Sequence, residues 1–118
     1  MLGSFLEKCA ARSAVVGVIG LGYVGLPLAL RFAAAGFRTI GFDIDREKVE
    51  ALNDGRSYIK TVAAERVRAG RAGGFRASSD FALAAAADAL IICVPTPLTR
   101  AREPDLSFVI GTVEAILP

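Results

Sequence analysis

The chain has 118 residues, of which 53% are hydrophobic and 22% are charged, and its formal net charge is +2. This length and balance are typical of one small folded domain rather than a disordered chain. The sequence contains no histidine, which excludes histidine-based acid–base catalysis and histidine metal sites. We therefore expect no metal site, and so small a net charge calls for neither a nucleic-acid nor a membrane partner.

The amino-terminal residues 1–13 predict a short amphipathic leading helix. Charges at Glu7, Lys8 and Arg12 interrupt the apolar run that a secretory signal needs. Cys9 and Cys93 form no CxxC pair, so we expect neither a zinc site nor a disulfide framework. The simplest compartment for such a chain is the reducing cytoplasm.

Residues 14–30 carry no charge, but four glycines and Pro27 interrupt them, which disfavours a membrane-spanning helix. The β-branched run 14–19 predicts a buried parallel strand, residues 20–25 a glycine turn, and residues 24–35 a helix closed by Gly36. The chain continues with a strand over 37–43, helices over 46–53 and 62–69, a strand over 75–77, a helix over 81–87, a buried strand over 89–94 and a helix over 106–117. Residues 78–80 predict the cap of the helix over 81–87, and for Asp45, Ser79 and Asp105 a helix cap is favoured over a ligand.

This alternation predicts an α/β, Rossmann-like three-layer domain with a mostly parallel sheet of about four strands in the order 3-2-1-4. We divide the chain into the leading helix 1–13 and a domain over 14–118. A further parallel strand is expected beyond Pro118, so we interpret the domain as the amino-terminal half of a longer fold.

A GxGxxG motif follows the first predicted strand and opens the first predicted helix, at Gly20, Gly22 and Gly25. The first glycine permits the sharp turn, the second lets a pyrophosphate approach the backbone, and the third allows the helix to pack closely on the sheet. The free N–H groups at the helix start attract phosphate. In another α/β protein the same glycines would only shape a tight turn.

An acid completes the pattern. Asp43 lies 18 residues past Gly25, at the end of the next strand, where a carboxylate accepts hydrogen bonds from the ribose hydroxyls of a dinucleotide. A carboxylate there repels a 2′-phosphate, which favours NAD over NADP. Arg46 is a nearby cofactor-binding candidate that leaves this preference open.

Three segments resemble the UDP-glucose/GDP-mannose dehydrogenase family: residues 20–27 (GLGYVGLP), 41–45 (GFDID) and 94–98 (VPTPL). Two more, residues 55–60 (GRSYIK) and 102–107 (REPDLS), are similar to its UDP-N-acetylglucosamine and UDP-N-acetylmannosamine 6-dehydrogenases, as is the leading helix. The resemblance covers nearly the whole chain.

The resemblance implies that the parent enzyme oxidises the C6 hydroxyl of a UDP-sugar to a carboxylate in two NAD-dependent steps, with a cysteine holding the intermediate. It also implies polysaccharide biosynthesis, a homo-oligomeric parent, and central and UDP-sugar-binding domains absent from this chain. That cysteine would lie beyond Pro118, since Cys93 reads as an inert strand residue and Cys9 as a packing residue. We therefore name no catalytic residue and expect the chain alone to be inactive.

By the same resemblance, Tyr23 and Val24 join the three glycines at the pyrophosphate, and Val94, Pro95 and Thr96 line the cofactor site at a strand end. From the residues alone, Thr96 is also a simple turn former between prolines. Residues 58–59 belong by resemblance to a substrate-side loop, and from the residues alone they are equally a loop anchor. Two rivals stay open: a 3-hydroxyacid-type NAD dehydrogenase and a non-catalytic nucleotide-sensing module.

Overall fold

The computed structural model describes residues 2–94, Arg100 and residues 106–117. Within these residues, helices and parallel strands alternate as predicted. The elements are α1 (Leu2–Ala11), β1 (Val15–Ile19), α2 (Gly25–Ala34), β2 (Arg38–Phe42), α3 (Arg46–Asn53), α4 (Ala64–Ala72), β3 (Phe75–Ser78), a 3-10 helix (Phe81–Ala86), β4 (Ala89–Ile92) and α5 (Ser107–Ile116).

The four strands form one parallel sheet in the order β3-β2-β1-β4. Ile19 at the end of β1 is level with Phe42 of β2 and with Ile92 of β4, so three strand ends meet at one edge of the sheet. This order and the three-layer α/β architecture confirm the predicted fold. Because β1 lies between β2 and β4, the connections leave it in opposite directions and open a crevice at its carboxyl end.

Alternation along β1 divides the core between the two faces of the sheet. Val16 and Val18 face a large cluster that contains Leu26 and Leu30 of α2 and the buried side chains of α3 and α4. Ile19 faces a smaller cluster formed with the 3-10 helix and Ile116 of α5. The apolar run 14–19 therefore fills both sides of the sheet, which is why it lacks the polar alternation of a strand with one wet face.

Two helix ends follow the predicted signals. After α2, Gly36 has a φ of +98°, and its N–H donates to the Ala33 carbonyl at 3.0 Å. The Phe37 N–H donates to the Phe32 carbonyl at 3.1 Å, which completes a Schellman motif. At the start of α3, the Asp45 carboxylate accepts a hydrogen bond from the Glu47 N–H at 3.0 Å, so its predicted role as a cap is confirmed.

Three local predictions were wrong. The helix predicted over 62–69 is Ala64–Ala72: Val62 is buried in the preceding loop, and Gly70 lies inside the helix, where an added Cβ would be 2.6 Å from the Leu30 side chain. Close packing of α4 on α2 thus outweighs the glycine signal for a helix end. The segment predicted as a helix over 81–87 is a 3-10 helix. Within the predicted capping segment 78–80, the cap is Asp80 rather than Ser79, since the Asp80 side chain accepts from the Ala82 N–H at 3.1 Å.

The strand predicted over 89–94 is confirmed, but it ends at Ile92 and is only half-buried. Within the described part of the chain, β4 is an edge strand that pairs with β1 alone. An apolar run therefore marks a strand without deciding how many neighbours cover it. The cap predicted at Asp105 lies outside the described residues.

Helices α1 and α5 lie at the two ends of the described chain. A carboxylate ties α1 to the sheet: Asp88 accepts from the Lys8 ammonium at 3.0 Å and from the Val15 N–H at 2.8 Å. Helix α5 is apolar yet has no buried residue, and Phe108 and Ile110 are 46% and 56% exposed. No helix within the described residues is long and apolar enough to cross a membrane.

We expect Gly36→Ala to lower the free energy of unfolding by about 1–2 kcal/mol, because a side chain at a φ of +98° is strained even though only Arg12 lies within 4 Å of the added Cβ. The matched control is Gly111→Ala in α5, which meets no atom within 4 Å and should raise stability by up to about 1 kcal/mol. Urea unfolding of both variants measures the difference. Equal stability of Gly36→Ala and the wild type would contradict the left-handed helix end.

Candidate functional site

A cavity of about 710 Å³ opens at the carboxyl ends of β1, β2 and β4. This is where an open parallel sheet binds its ligands, and the volume suits a small-molecule site. The turn after β1, the end of β2 and the two residues that follow β4 form its walls, and α5 and the 3-10 helix contribute apolar side chains. The lining residues are Ile19, Gly20, Leu21, Gly22, Tyr23, Val24, Phe42, Asp43, Ile44, Asp45, Lys48, Phe81, Cys93, Val94, Phe108 and Thr112.

Two of the motif glycines are required by the protein's own packing. Gly20 has a φ of +94°, and an added Cβ would lie 2.6 Å from the Cys93 carbonyl oxygen. At Gly25 an added Cβ would lie 1.7 Å from the Gly20 carbonyl oxygen, which no side chain tolerates. These contacts hold the start of α2 directly against the end of β1.

Gly22 differs from both, because an added Cβ there would meet nothing within 4 Å. The protein itself leaves the space over this α-carbon open to the cavity. The backbone N–H groups of Gly22, Tyr23 and Val24 have no acceptor among the described residues. Free N–H groups at the start of a helix, next to open space over a glycine, fit the diphosphate of a dinucleotide.

The carboxylate of Asp43 is held in a defined orientation at the end of β2. Its Oδ2 accepts from the Leu21 N–H at 2.9 Å, and its Oδ1 accepts from the Asp45 N–H at 2.9 Å. Each carboxylate oxygen has a second lone pair, so both can still accept from hydroxyl groups in the cavity. The carboxylate thus joins the glycine turn to β2 and also presents acceptors to a ribose.

The structure brings together six of the ten predicted site residues in the cavity wall: Gly20, Gly22, Tyr23, Val24, Asp43 and Val94. Gly25 lies beneath the turn and is buried. Arg46 is exposed on the first turn of α3 and does not line the cavity. Pro95 and Thr96 lie outside the described residues.

The cation in the cavity wall is Lys48. Its ammonium group lies 5.6 Å from the centre of the Tyr58 ring, over the face of the ring. A signal for it exists in the sequence: Lys48 is three residues past the cap Asp45, and residues three apart share one side of a helix. Arg46, one residue past the cap, is exposed and is not among the lining residues.

Phe81 and Phe108 also line the cavity, and sequence reasoning missed both. The Phe81 ring stacks on Phe42 with centroids 5.7 Å apart. No sequence pattern indicates this contact, because it forms only when the segment after β3 packs on the face of the sheet that carries Phe42.

Tyr58 and Ile59 form a loop anchor, one of the two roles left open by the sequence. Ile59 is 5% exposed in the main core, and the Tyr58 hydroxyl donates a hydrogen bond to the Leu21 carbonyl. Burial raises the pKa of the Tyr58 hydroxyl well above its usual value, and the nearby carboxylates of Asp43 and Asp45 add to the shift. The hydroxyl therefore keeps its proton and donates this hydrogen bond throughout the neutral range.

Cys93 follows β4 and is half-buried at the cavity rather than inside the strand. Its N–H donates to the Ile19 carbonyl at 2.7 Å, continuing the pairing with β1. Burial raises the pKa of the Cys93 thiol, which keeps it protonated and disfavours its use as a nucleophile.

Alanine substitutions at Gly25 and Gly22 should have different effects on the free energy of unfolding. We expect Gly25→Ala to cost at least about 3 kcal/mol, the upper end for overpacking, because its Cβ would overlap the Gly20 carbonyl. Gly22→Ala should leave the free energy of unfolding unchanged or raise it by up to about 1 kcal/mol. Urea unfolding of both proteins measures this contrast, and a loss of stability at Gly22 would show that this α-carbon packs against protein.

Comparison with known proteins identifies relatives of this site. Residues 14–118 match the model of the UDP-glucose/GDP-mannose dehydrogenase family, NAD binding domain. The UDP-N-acetyl-D-mannosamine dehydrogenase of Escherichia coli K12 is 39% identical over 106 residues, which are 89% of this chain and 25% of that protein. The NDP-N-acetyl-D-galactosaminuronic acid dehydrogenase of Ralstonia nicotianae is 38% identical over 105 residues, 87% of this chain and 24% of that protein.

Among solved structures, the UDP-glucose dehydrogenase of Pyrobaculum islandicum superposes with a TM-score of 0.81 at 36% identity, over 88% of this chain and 25% of that one. The chain thus spans about a quarter of the length of the relatives it matches. These matches favour the NAD-binding domain of a nucleotide-sugar dehydrogenase family over that of a 3-hydroxyacid-type dehydrogenase. The chain belongs to the UDP-glucose/GDP-mannose dehydrogenase family, of which it carries the NAD-binding domain.

Proposed function

We propose that NAD binds in the cavity at the carboxyl end of β1, with its diphosphate at the start of α2 and its adenosine ribose at Asp43. The observation that carries this proposal is the contrast between the glycines. Protein atoms occupy the space that a side chain at Gly20 or Gly25 would need, whereas the space over the Gly22 α-carbon is open. The ten predicted residues keep their proposed roles, with Gly25 acting through the turn. Arg46, which does not line the cavity, and Pro95 and Thr96, which lie outside the described residues, remain proposed cofactor-binding residues.

Asp43 supports a preference for NAD over NADP. Both of its oxygens already accept from backbone N–H groups, so the carboxylate cannot swing away from an incoming phosphate without breaking these bonds. A 2′-phosphate would therefore meet a fixed negative charge. Lys48 lies in the same wall but faces the Tyr58 ring, which leaves the ribose side to the carboxylate.

We propose further that the protein to which this domain belongs is an NAD-dependent UDP-sugar 6-dehydrogenase, acting on a UDP-N-acetylhexosamine. Two curated relatives are named for N-acetylhexosamine derivatives, which supports this substrate class. Bound NAD would supply the hydride acceptor, while this domain binds and orients it. The leading helix 1–13 and the domain 14–118 would precede substrate-binding regions in a cytoplasmic homo-oligomer that serves polysaccharide biosynthesis.

We expect calorimetric titration of the chain to show at least about tenfold tighter binding of NAD than of NADP. Tenfold corresponds to about 1.4 kcal/mol, and like charges about 4 Å apart repel by about 1 kcal/mol in water and about 4 kcal/mol near a protein surface. Asp43→Asn should reduce this ratio several-fold. An amide cannot accept from both N–H groups, so affinity for either cofactor can fall, and the ratio isolates the charge. The control Asp54→Asn removes the same charge from an exposed pair with Arg56 and should preserve the ratio. Equal affinities in the wild type would refute the role of Asp43.

The activity is tested by the absorbance of NADH with UDP-N-acetylmannosamine, UDP-N-acetylglucosamine and UDP-glucose as substrates. We expect the 118-residue chain alone to produce no NADH. A longer protein that contains it should form two NADH for each UDP-N-acetylhexosamine oxidised, since an alcohol becomes a carboxylate in two hydride transfers. Turnover by the chain alone would contradict the proposed division of labour.

A further inference from the structure

The N–H and the C=O of Leu21 each make a hydrogen bond with a side chain from another part of the fold. The Leu21 N–H donates to Asp43 Oδ2 at 2.9 Å, and the Leu21 carbonyl accepts from the Tyr58 hydroxyl. Leu21 itself is completely buried. The second residue of the glycine turn is thereby fastened to β2 through one bond and to the loop after α3 through the other.

The bond from Tyr58 also determines the direction of a neighbouring group. The Leu21 carbonyl and the Gly22 N–H belong to one planar trans peptide, in which the C=O and N–H point in opposite directions. If the carbonyl is held towards Tyr58, the Gly22 N–H must point away from it. That N–H has no acceptor among the described residues, and Gly22 lines the cavity.

Tyr58 is itself firmly seated, so it can hold this peptide. The adjacent Ile59 is 5% exposed in the main core, and the Ser57 hydroxyl accepts from the Ile59 N–H at 3.2 Å. The Lys48 ammonium lies over the Tyr58 ring, 5.6 Å from its centre, and this cation–π contact stabilises the position of the ring. The ring and its hydroxyl therefore connect the core, the cation in the cavity wall and the glycine turn.

We propose that Tyr58 is a positioning residue for diphosphate recognition: its hydroxyl holds the Leu21–Gly22 peptide so that the Gly22 N–H is aimed at the ligand. This inference rests on the proposed binding of NAD. Tyr58 touches no ligand in this scheme and acts only through the turn. Removal of the Tyr58 hydroxyl should therefore lower the affinity for ligands that carry a diphosphate and leave the affinity for ligands without one unchanged.

The test compares the wild type with Tyr58→Phe, which keeps the ring beside Lys48 and removes only the hydroxyl. Calorimetric titrations with NAD and ADP should show affinities about two- to tenfold lower, the effect of one lost hydrogen bond. The affinity for adenosine, followed by NMR, should change less than about twofold, since no diphosphate contact is involved. In the ligand-free variant the Gly22 amide resonance should move, because the peptide loses its anchor.

Val62→Ala, at a buried residue of the same loop that is not adjacent to Tyr58, is the matched control. It loosens the same loop in the core but leaves the hydroxyl in place, so NAD affinity and the Gly22 amide resonance should match the wild type. Equal losses in the two variants, or an equal loss for adenosine, would overturn the inference in favour of general loop stability. Unchanged NAD affinity in Tyr58→Phe would overturn it directly.

Two further outcomes remain decisive. If the wild type binds neither NAD nor ADP, the proposed function fails. The Gly22 amide resonance of ligand-free Tyr58→Phe then decides the inference alone. A resonance that stays at its wild-type position overturns it. If circular dichroism shows Tyr58→Phe to be unfolded, the wild-type hydroxyl proton is measured instead. Exchange with water as fast as that of Tyr23, which is 79% exposed, would show that the anchoring bond does not exist.

Discussion

The contact between Gly25 and the Gly20 carbonyl leaves no room for a methyl group, and the geometry of the site depends on it. The first turn of α2 lies directly against the end of β1, and the N–H groups of Gly22, Tyr23 and Val24, which have no acceptor among the described residues, lie in the cavity wall. The crevice between β2 and β4 then lies in front of them. One close backbone approach thus creates both the turn and the space beside it.

Asp43 shows how a single side chain serves the fold and the ligand together. Its two backbone hydrogen bonds connect the turn after β1 with the end of β2, so the carboxylate stays in place before any ligand arrives. An acceptor that is already oriented loses little conformational entropy on binding. The Tyr58 hydroxyl extends the same arrangement to the carbonyl side of Leu21.

Much of the fold was predictable because its signals are local. The apolar run of β1, the glycine after α2 and the Asp45 cap each act within a few residues, and each lies where the pattern placed it. Two of the differences from prediction originate in contacts between distant segments. Gly70 stays helical because α4 packs on Leu30, and β4 is half-buried because β1 is its only described neighbour.

By itself, the sequence determined the α/β class, the strand order, the glycine turn and the acid that follows the second strand, because spacing along the chain and the β- or α-type periodicity encode them. Only the tertiary structure decided that Phe81 lines the cavity and that Tyr58 reaches Leu21. Those contacts join residues up to several elements apart. Their geometry is set by how helices pack on the sheet, which no local pattern records.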